Sequence, residues 1–276
     1  MATVSDLLRA RPVDGVFALA GVDPRSTPGV KSRKRAEVDL ASDAERLASL
    51  QERLYAERDR SFLLVLQGMD TSGKDGVVKH VVAAMNPVGT EVTSFRAPTE
   101  AEARHPFLWR VRRRLPVAGQ VGIFNRSHYE DVGIVRVHGL APPETVERRY
   151  AEINRFEQRV ADSGTTVVKC WLHISYDEQR ERLLARLDDP AKRWKFNETD
   201  IAERAHWAEY MAAYETAIAR CATDAAPWYV VPADRKWYRN WAVARLLVEH
   251  LDAMGPRYPE PPLDVPALKK RLAPPG

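Results

Sequence analysis

Residues 62–76 read FLLVLQGMDTSGKDG, and this stretch decides the fold. The apolar run Phe62–Leu66, closed by a turn signal, suits a strand buried on both faces. A glycine-framed loop follows, Gly68-Met69-Asp70-Thr71-Ser72-Gly73-Lys74. Apolar positions then fall at Val77, Val78, Val81, Val82 and Met85, one face of a helix. Strand, Gly-x-x-x-x-Gly-Lys and helix, in that order, predict a phosphate loop. Glycines let backbone N–H groups turn toward a ligand, the helix N-terminus adds partial positive charge, and Lys74 adds a full one. Gly68, Thr71, Ser72, Gly73, Lys74, Asp75 and Gly76 are therefore the expected phosphate-binding residues. Two acids are unusual in this setting. Asp75 stands where a Ser or Thr would ligate Mg²⁺, and Asp70 lies inside the loop. Either Mg²⁺ sits beside Asp70, or the loop handles phosphates differently from an ordinary ATPase.

Working outward, the chain alternates strands and helices. A helix with Leu40, Ala44, Leu47, Leu50 and Leu54 on one side precedes the first strand. Asn86-Pro87 stops the loop helix, and Glu91–Phe95 reads as a second strand. Thr99 and Glu102 form a capping box, after which PFLWRVRRRL (106–115) reads as a helical stretch. Its four arginines cannot share one helix face, so the cluster is not a single clamp. Gly119–Phe124 is the next strand, followed by a helix from Pro142-Pro143 to Val160 and a strand at Val167–Ile174. Ser175 and Glu178 make a second capping box. In the helix that follows, Leu183, Leu184 and Leu187 are expected inward, and Arg182 and Arg186 outward. A long helix to about Ala222, a strand at Trp228–Val231 and a helix from Trp237 to Met254 complete the body. Five strands alternating with helices predict an α/β fold: a mostly parallel sheet with helices on both faces, in three layers. Residues 1–35 are expected to form an irregular arm, 36–254 the phosphate-loop domain with a lid near 180–200, and 255–276 a proline-rich tail.

Composition bounds the rest. The chain has 276 residues, is 45% hydrophobic and 29% charged, and carries a net charge of +4. The basic runs Lys31–Arg35, Arg110–Arg114 and Lys192–Lys195 read first as solvated faces. Cys170 and Cys221 sit in apolar segments and suggest neither a disulfide framework nor a metal site. No apolar stretch approaches membrane-spanning length, so a soluble, cytoplasmic protein is expected, with no membrane partner. There is no His-Glu-x-x-His, no Gly-x-Ser-x-Gly and no nucleic-acid-binding pattern.

The polar run Asn125-Arg126-Ser127-His128-Tyr129-Glu130-Asp131 follows a strand, where ligands bind in open α/β sheets. Asn125 either caps a helix or joins the site. A phosphate loop, acids at a neighbouring strand end and a later arginine-rich segment suit phosphoryl transfer, which needs charge neutralisation and positioning. Lys74 would hold phosphates. Asp70 and Asp131 would hold Mg²⁺ or orient the acceptor phosphate. Arg182, Arg186, Arg193 and Lys195 form either a closing lid or a solvated face.

GMDTSGKDG (68–76), FNRSHYED (124–131), IVRVH (134–138), KRWKF (192–196) and APWYVVPADRKW (226–237) together resemble the polyphosphate kinase 2 family. Within it they resemble the branch that phosphorylates both nucleoside monophosphates and diphosphates. The likeness runs from about residue 20 to residue 253. It implies a thymidylate-kinase-like P-loop kinase fold and transfer of the terminal phosphoryl group of inorganic polyphosphate to AMP or ADP, with Mg²⁺ or Mn²⁺. Adenine or guanine nucleotides and a homo-oligomer, dimer or tetramer, come with it. By motif, Asp70 and Lys74 match the loop acid and lysine, Asp131 the second-motif acid, and Asn125 and Arg126 the start of that motif. Catalytic roles are then expected for Asp70, Lys74, Asp131 and Arg126, with Asn125 and Glu130 beside them. Arg182, Arg186 and Arg193 fall in the lid region. Arg104-His105-Pro106 departs from the family's His-Asp pair, and nucleotide preference turns on that position. The competing readings are an ATP-dependent small-molecule kinase and a non-catalytic nucleotide- or polyphosphate-binding protein.

Overall fold

A computed structural model describes residues 2–272; Met1 and the last four residues of the tail lie outside the described residues. In chain order the elements begin with α1 (Val4–Leu8), α2 (Arg33–Glu57), β1 (Ser61–Gln67), α3 (Lys74–His80) and β2 (Thr90–Ser94). Next come α4 (Glu100–Ala103), α5 (Trp109–Arg112), β3 (Val121–Asn125), α6 (Ile134–Val137) and α7 (Pro143–Asp162). The chain continues through β4 (Thr165–His173), α8 (Tyr176–Asp188), α9 (Thr199–Ala205) and α10 (Trp207–Cys221). It ends with β5 (Trp228–Pro232), α11 (Lys236–Met254) and α12 (Val265–Arg271).

The five strands form one sheet in the order β2-β3-β1-β4-β5, and every pairing is parallel. β1 is central, and all seven of its residues are buried. Successive side chains on a strand point to opposite faces, and the core divides accordingly. Phe62, Leu64 and Leu66 pack with Leu47, Leu50 and Leu54 of α2 and with Leu246 and Leu247 of α11. Leu63 and Val65 pack on the other side with Phe156 and Val160 of α7. Trp171, Trp228 and Val230 meet Tyr214, Ala217 and Ile218 of α10 on that same second face. The result is the expected three-layer α/β fold. The register sets Leu66 opposite Asn125, so the loop after β1 and the polar turn after β3 emerge side by side.

The departures from expectation have local causes. The loop helix ends at His80 and passes into a single 3₁₀ turn, Val82–Ala84, where the β-branched run of valines is a poor helix former. The stretch 106–115 supplies only one helical turn, α5. Arg110 is buried and donates to the Arg96 carbonyl at 2.6 Å, whereas Arg112, Arg113 and Arg114 are exposed. The long helix expected to Ala222 is divided at His206 into α9 and α10. In the arm, α1 buries Val4 and Leu8, and Val4 and Ser5 each donate a backbone N–H to the Glu249 carboxylate at 2.8 Å. The tail is extended after Gly255 and then forms the short helix α12.

Candidate active site

The phosphate loop owes its shape to two close approaches. Gly68, at φ +154°, passes Leu172 so tightly that a Cβ there would lie 2.8 Å from the Leu172 carbonyl oxygen. Gly73 has φ +108°, and a Cβ on it would collide with the Arg239 guanidinium. Thr71 and Arg126 also take left-handed backbone, at φ 64° and 63°. Strain of this kind persists where surrounding contacts over-determine it. Here those contacts are arginines. Arg182 Nη1 donates to the Thr71 and Ser72 carbonyls at 2.9 and 3.2 Å, and its Nη2 donates to Ala233 and Asp234 at 2.6 and 2.9 Å. Arg239 Nη1 also donates to the Ser72 carbonyl, at 3.4 Å.

Lys74 is buried at the start of α3, and its Nζ donates to the Gly68 and Met69 carbonyls at 2.7 and 3.2 Å. Burial, with the Arg126 guanidinium nearby, lowers its pKa to about 8. Asp70 accepts from Arg126 Nη2 at 2.7 Å, and Gln179 donates to its backbone carbonyl. Asn125 does not cap a helix: its amide donates to Asp75 Oδ1 at 2.8 Å, which ties the turn after β3 to α3. Ser127 is the cap, accepting from the Tyr129 N–H. Asp75 spends its carboxylate on Asn125 from the first turn of α3.

Two clefts open above the carboxyl ends of β1 and β3. The larger, roughly 740 Å³, contains Thr71, Gly73, Lys74, Asp75 and Gly76 of the loop. Its cations are Arg96, Arg126, Arg182, Arg186, Lys192, Lys195, Lys236 and Arg239. The smaller, roughly 260 Å³, is lined by Gly68, Met69, Glu130, Ile134, Tyr210 and Tyr214, among others. Asp70, Arg126 and Asp200 line both and form the shared wall. Ser72 is fully buried beneath the loop, its Oγ without a partner.

The structure departs from three expectations. Asp131 lines neither cleft. Its backbone carbonyl accepts from Arg149 at 2.8 Å, its Oδ2 is buried without a partner, and burial raises its pKa against the pull of Arg149 and Arg110. The acid of this turn that faces the cleft is Glu130. Gln67 Nε2 holds it at 2.9 Å, and Gln67 also donates to the Tyr214 hydroxyl. The buried face of α8 is shifted from the expected one. Leu183 is buried as expected, Leu184 and Leu187 are exposed, and Arg182 is buried, clamping the loop while it lines the larger cleft. A four-residue spacing reports a shared face but not which way that face points. Nor is the second capping box reciprocal. Ser175 caps Glu178, but the Ser175 N–H goes to Asp234 Oδ1 and Glu178 turns to Arg182.

The last turn of α8 and the segment after it behave otherwise. Arg186 reaches the larger cleft and pairs with Asp200 Oδ2 at 3.3 Å, and Lys195 lines the same cleft. Arg193 does not, because its Nε donates to the Leu187 carbonyl at 2.7 Å. Lys192, Arg239, Lys236, Gln67, Tyr214 and Asp200 are site residues that the sequence reading missed. Lys192, Lys236 and Gln67 carried a signal, since they lie inside the quoted KRWKF, ADRKW and 62–76 stretches.

The sequence model of Polyphosphate kinase 2 (PPK2) matches residues 30–259. This chain belongs to the polyphosphate kinase 2 family. Among curated polyphosphate kinase 2 relatives, it is 49% identical over 254 residues to the AMP/ADP-polyphosphate phosphotransferase of Meiothermus ruber, covering 92% of this chain and 95% of that one. It is 42% identical to the ADP-polyphosphate phosphotransferase of Rhodopseudomonas palustris, covering 89% and 88%. The crystal structure of polyphosphate kinase 2 from Arthrobacter aurescens TC1 superposes with a TM-score of 0.94 at 49% identity, over 98% of this chain and 96% of that one. In this chain, Asp70 of the loop and Arg126 of the polar turn stand on one wall shared by two clefts. Among the described residues, no helix is long and apolar enough to cross a membrane.

Proposed function

We propose that the chain transfers the terminal phosphoryl group of inorganic polyphosphate to AMP or ADP. One observation carries this reading: a strongly cationic cleft and a smaller, partly aromatic one meet at Asp70, Arg126 and Asp200. A donor without base or ribose can be held only by cations and backbone amides, which the larger cleft supplies. Tyr210, Tyr214, Ile134 and Met69 give the smaller cleft the apolar surface that a nucleoside needs. The reacting phosphates then meet at the shared wall, as an in-line displacement requires. The printed names of the relatives support the same donor and acceptors.

The chain's own residues have separable tasks. Lys74 and Arg126 hold the transferred phosphoryl group and the charge that spreads over its oxygens. The Lys74 ammonium leaves the loop carbonyls it now bonds and turns to phosphate oxygen. Arg186, Lys192 and Lys195 close from the lid near 180–200 and exclude water, which protects the phosphoryl group from hydrolysis. The acceptor phosphate is already ionised, so no general base is needed.

Asp70 fits a divalent cation. It is a hard oxygen donor facing both clefts, with Arg126 as its side-chain partner, and Glu130 stands beside the same arginine at 3.8 Å. Among the described residues no group of three His, Cys, Asp or Glu side chains would hold a metal alone. That suits Mg²⁺, which is commonly bound by one or two carboxylates plus substrate phosphates. Mg²⁺ or Mn²⁺ bound there would neutralise charge between donor and acceptor phosphates. The test is incubation with polyphosphate, Mg²⁺ and AMP or ADP, with matched reactions that replace polyphosphate by ATP. Formation of ADP or ATP only when polyphosphate is present is expected. Phosphorylation that proceeds with ATP and not with polyphosphate would overturn the reading.

A further inference from the structure

The larger cleft does not end at the loop. Lys236 and Asn240, on the first turn of α11, line it and also line a separate groove of roughly 250 Å³. The opposite wall of that groove is the start of α2, where Arg33, Ala36, Glu37 and Leu40 share one face, and Trp237 completes it. This places the Lys31–Arg35 run, which no step of the transfer uses, beside the groove's outer end. All five residues of that run are exposed. Arg33 Nε donates to Glu37 Oε1 at 2.8 Å, and Arg35 pairs with Asp39 at 2.9 Å. Lys31 and Lys34 form no ion pair among the described residues. Arg33 meets Glu37 through Nε, which leaves its two Nη groups as donors in the fork geometry that suits phosphate.

We infer that this groove is a distal subsite of the donor site, holding phosphates of a long polyphosphate chain that lie beyond those in the cleft. The inference rests on the proposed polyphosphate reading and extends it. An inorganic polyphosphate carries charge on every unit and has no apolar end, so each added phosphate can be held only where a further cation lies along its path. Lys236 continues the cationic wall out of the cleft, and Arg33 faces it across the groove. Glu37 is the one acid of the groove, and its pairing with Arg33 neutralises it. A short donor fills the cleft and never reaches α2; a long one does. The subsite therefore acts on affinity for long chains and not on the chemical step.

The test is the double variant Arg33→Gln, Lys34→Gln, assayed with ADP and either tripolyphosphate or long-chain polyphosphate. Both side chains are exposed, so the fold is retained. The KM for the long chain is expected to rise about 3- to 10-fold with kcat unchanged, and its dependence on salt to flatten. The KM for tripolyphosphate stays within about twofold, as additivity of distant sites requires. Lys269→Gln, Lys270→Gln removes the same charge from α12 and should leave both donors unaffected. An equal rise for both donors, or no rise for the long chain, overturns the subsite. Titration of long-chain polyphosphate without acceptor, read by tryptophan fluorescence, separates the two levels of the proposal. A wild-type protein that transfers from no polyphosphate sinks the functional reading, whereas equal binding by wild type and variant sinks the groove alone.

Discussion

The phosphate loop and the segment 189–206 face each other across the larger cleft, and they are held in opposite ways. The loop backbone is tied by two buried arginines, Arg182 from α8 and Arg239 from the start of α11. Burial with Arg182 beside it lowers the Arg239 pKa to about 10. The facing segment carries the short helix α9 and mostly exposed side chains, and its ties include Arg186 to Asp200, Arg193 to the Leu187 carbonyl, Arg204 to Gln179 and the Tyr176 carbonyl, and Glu203 to His138 and Tyr210. Trp194 within it is 77% exposed. A buried cation with several carbonyl partners fixes geometry before substrate arrives, whereas a single half-buried ion pair such as Arg186–Asp200 holds its segment less firmly. One wall of the cleft is thus preorganised and the other free to close. Arg182 and Arg186, one turn apart on α8, fall on opposite sides of that divide.

Substitutions can break this contrast. The largest effect is expected from Arg182→Ala, which removes a donor from the Thr71, Ser72, Ala233 and Asp234 carbonyls and leaves only Ser72 with a second one, Arg239. It should destabilise the fold by ~3 kcal/mol, read from the urea midpoint at unchanged m, with transfer lost as the loop relaxes. A variant of native stability would show that the loop holds itself. Lys74→Ala comes next: about 100-fold slower transfer, or ~2.7 kcal/mol. Its unfolding midpoint should stay near that of the wild type, because the lysine bonds only its own loop. Arg186→Ala should raise the donor KM about tenfold, or ~1.4 kcal/mol, with stability changed by less than ~0.5 kcal/mol. If Arg186→Ala instead unfolds the protein, the lid is part of the scaffold and the contrast fails.

The smallest test is pH. Lys74 holds phosphate only when protonated, and its pKa in the free protein is lowered to about 8. Transfer measured as kcat/KM should therefore fall as pH rises through about 8, whereas saturating donor, by stabilising the ammonium, moves the fall in kcat to higher pH. The sign for stability differs. A depressed lysine pKa means the unfolded chain binds the proton more tightly than the folded one. Stability then rises with pH between about 8 and the ordinary lysine value. Activity and stability should diverge in that window, and parallel curves would mean that Lys74 is not the titrating group.

How the residues divide between sequence and structure follows from the range of the forces involved. The strands, the loop and most helices were legible because side-chain alternation, helical spacing and glycine punctuation act over a few residues. Phe62–Leu66 buries as a strand, and Gly68–Gly73 forms the loop that leads into α3 at Lys74, as their order implies. The acid of the second motif was legible only to within one residue. Glu130 and Asp131 are alike in sequence, and the hold of Gln67 from β1 turns the first toward the cleft while Arg149 from α7 holds the second behind it. The cations were least legible of all. Whether an arginine binds substrate or backbone depends on which carbonyls the fold brings within reach, and Arg182 meets Thr71, Ser72, Ala233 and Asp234 only once β1, β5 and α8 are assembled. The sequence by itself determined a glycine-framed loop after β1 of the kind that suits phosphates. The tertiary structure decided which charges are free to bind them, because only packing distinguishes a buried guanidinium that is already satisfied from an exposed one that is not.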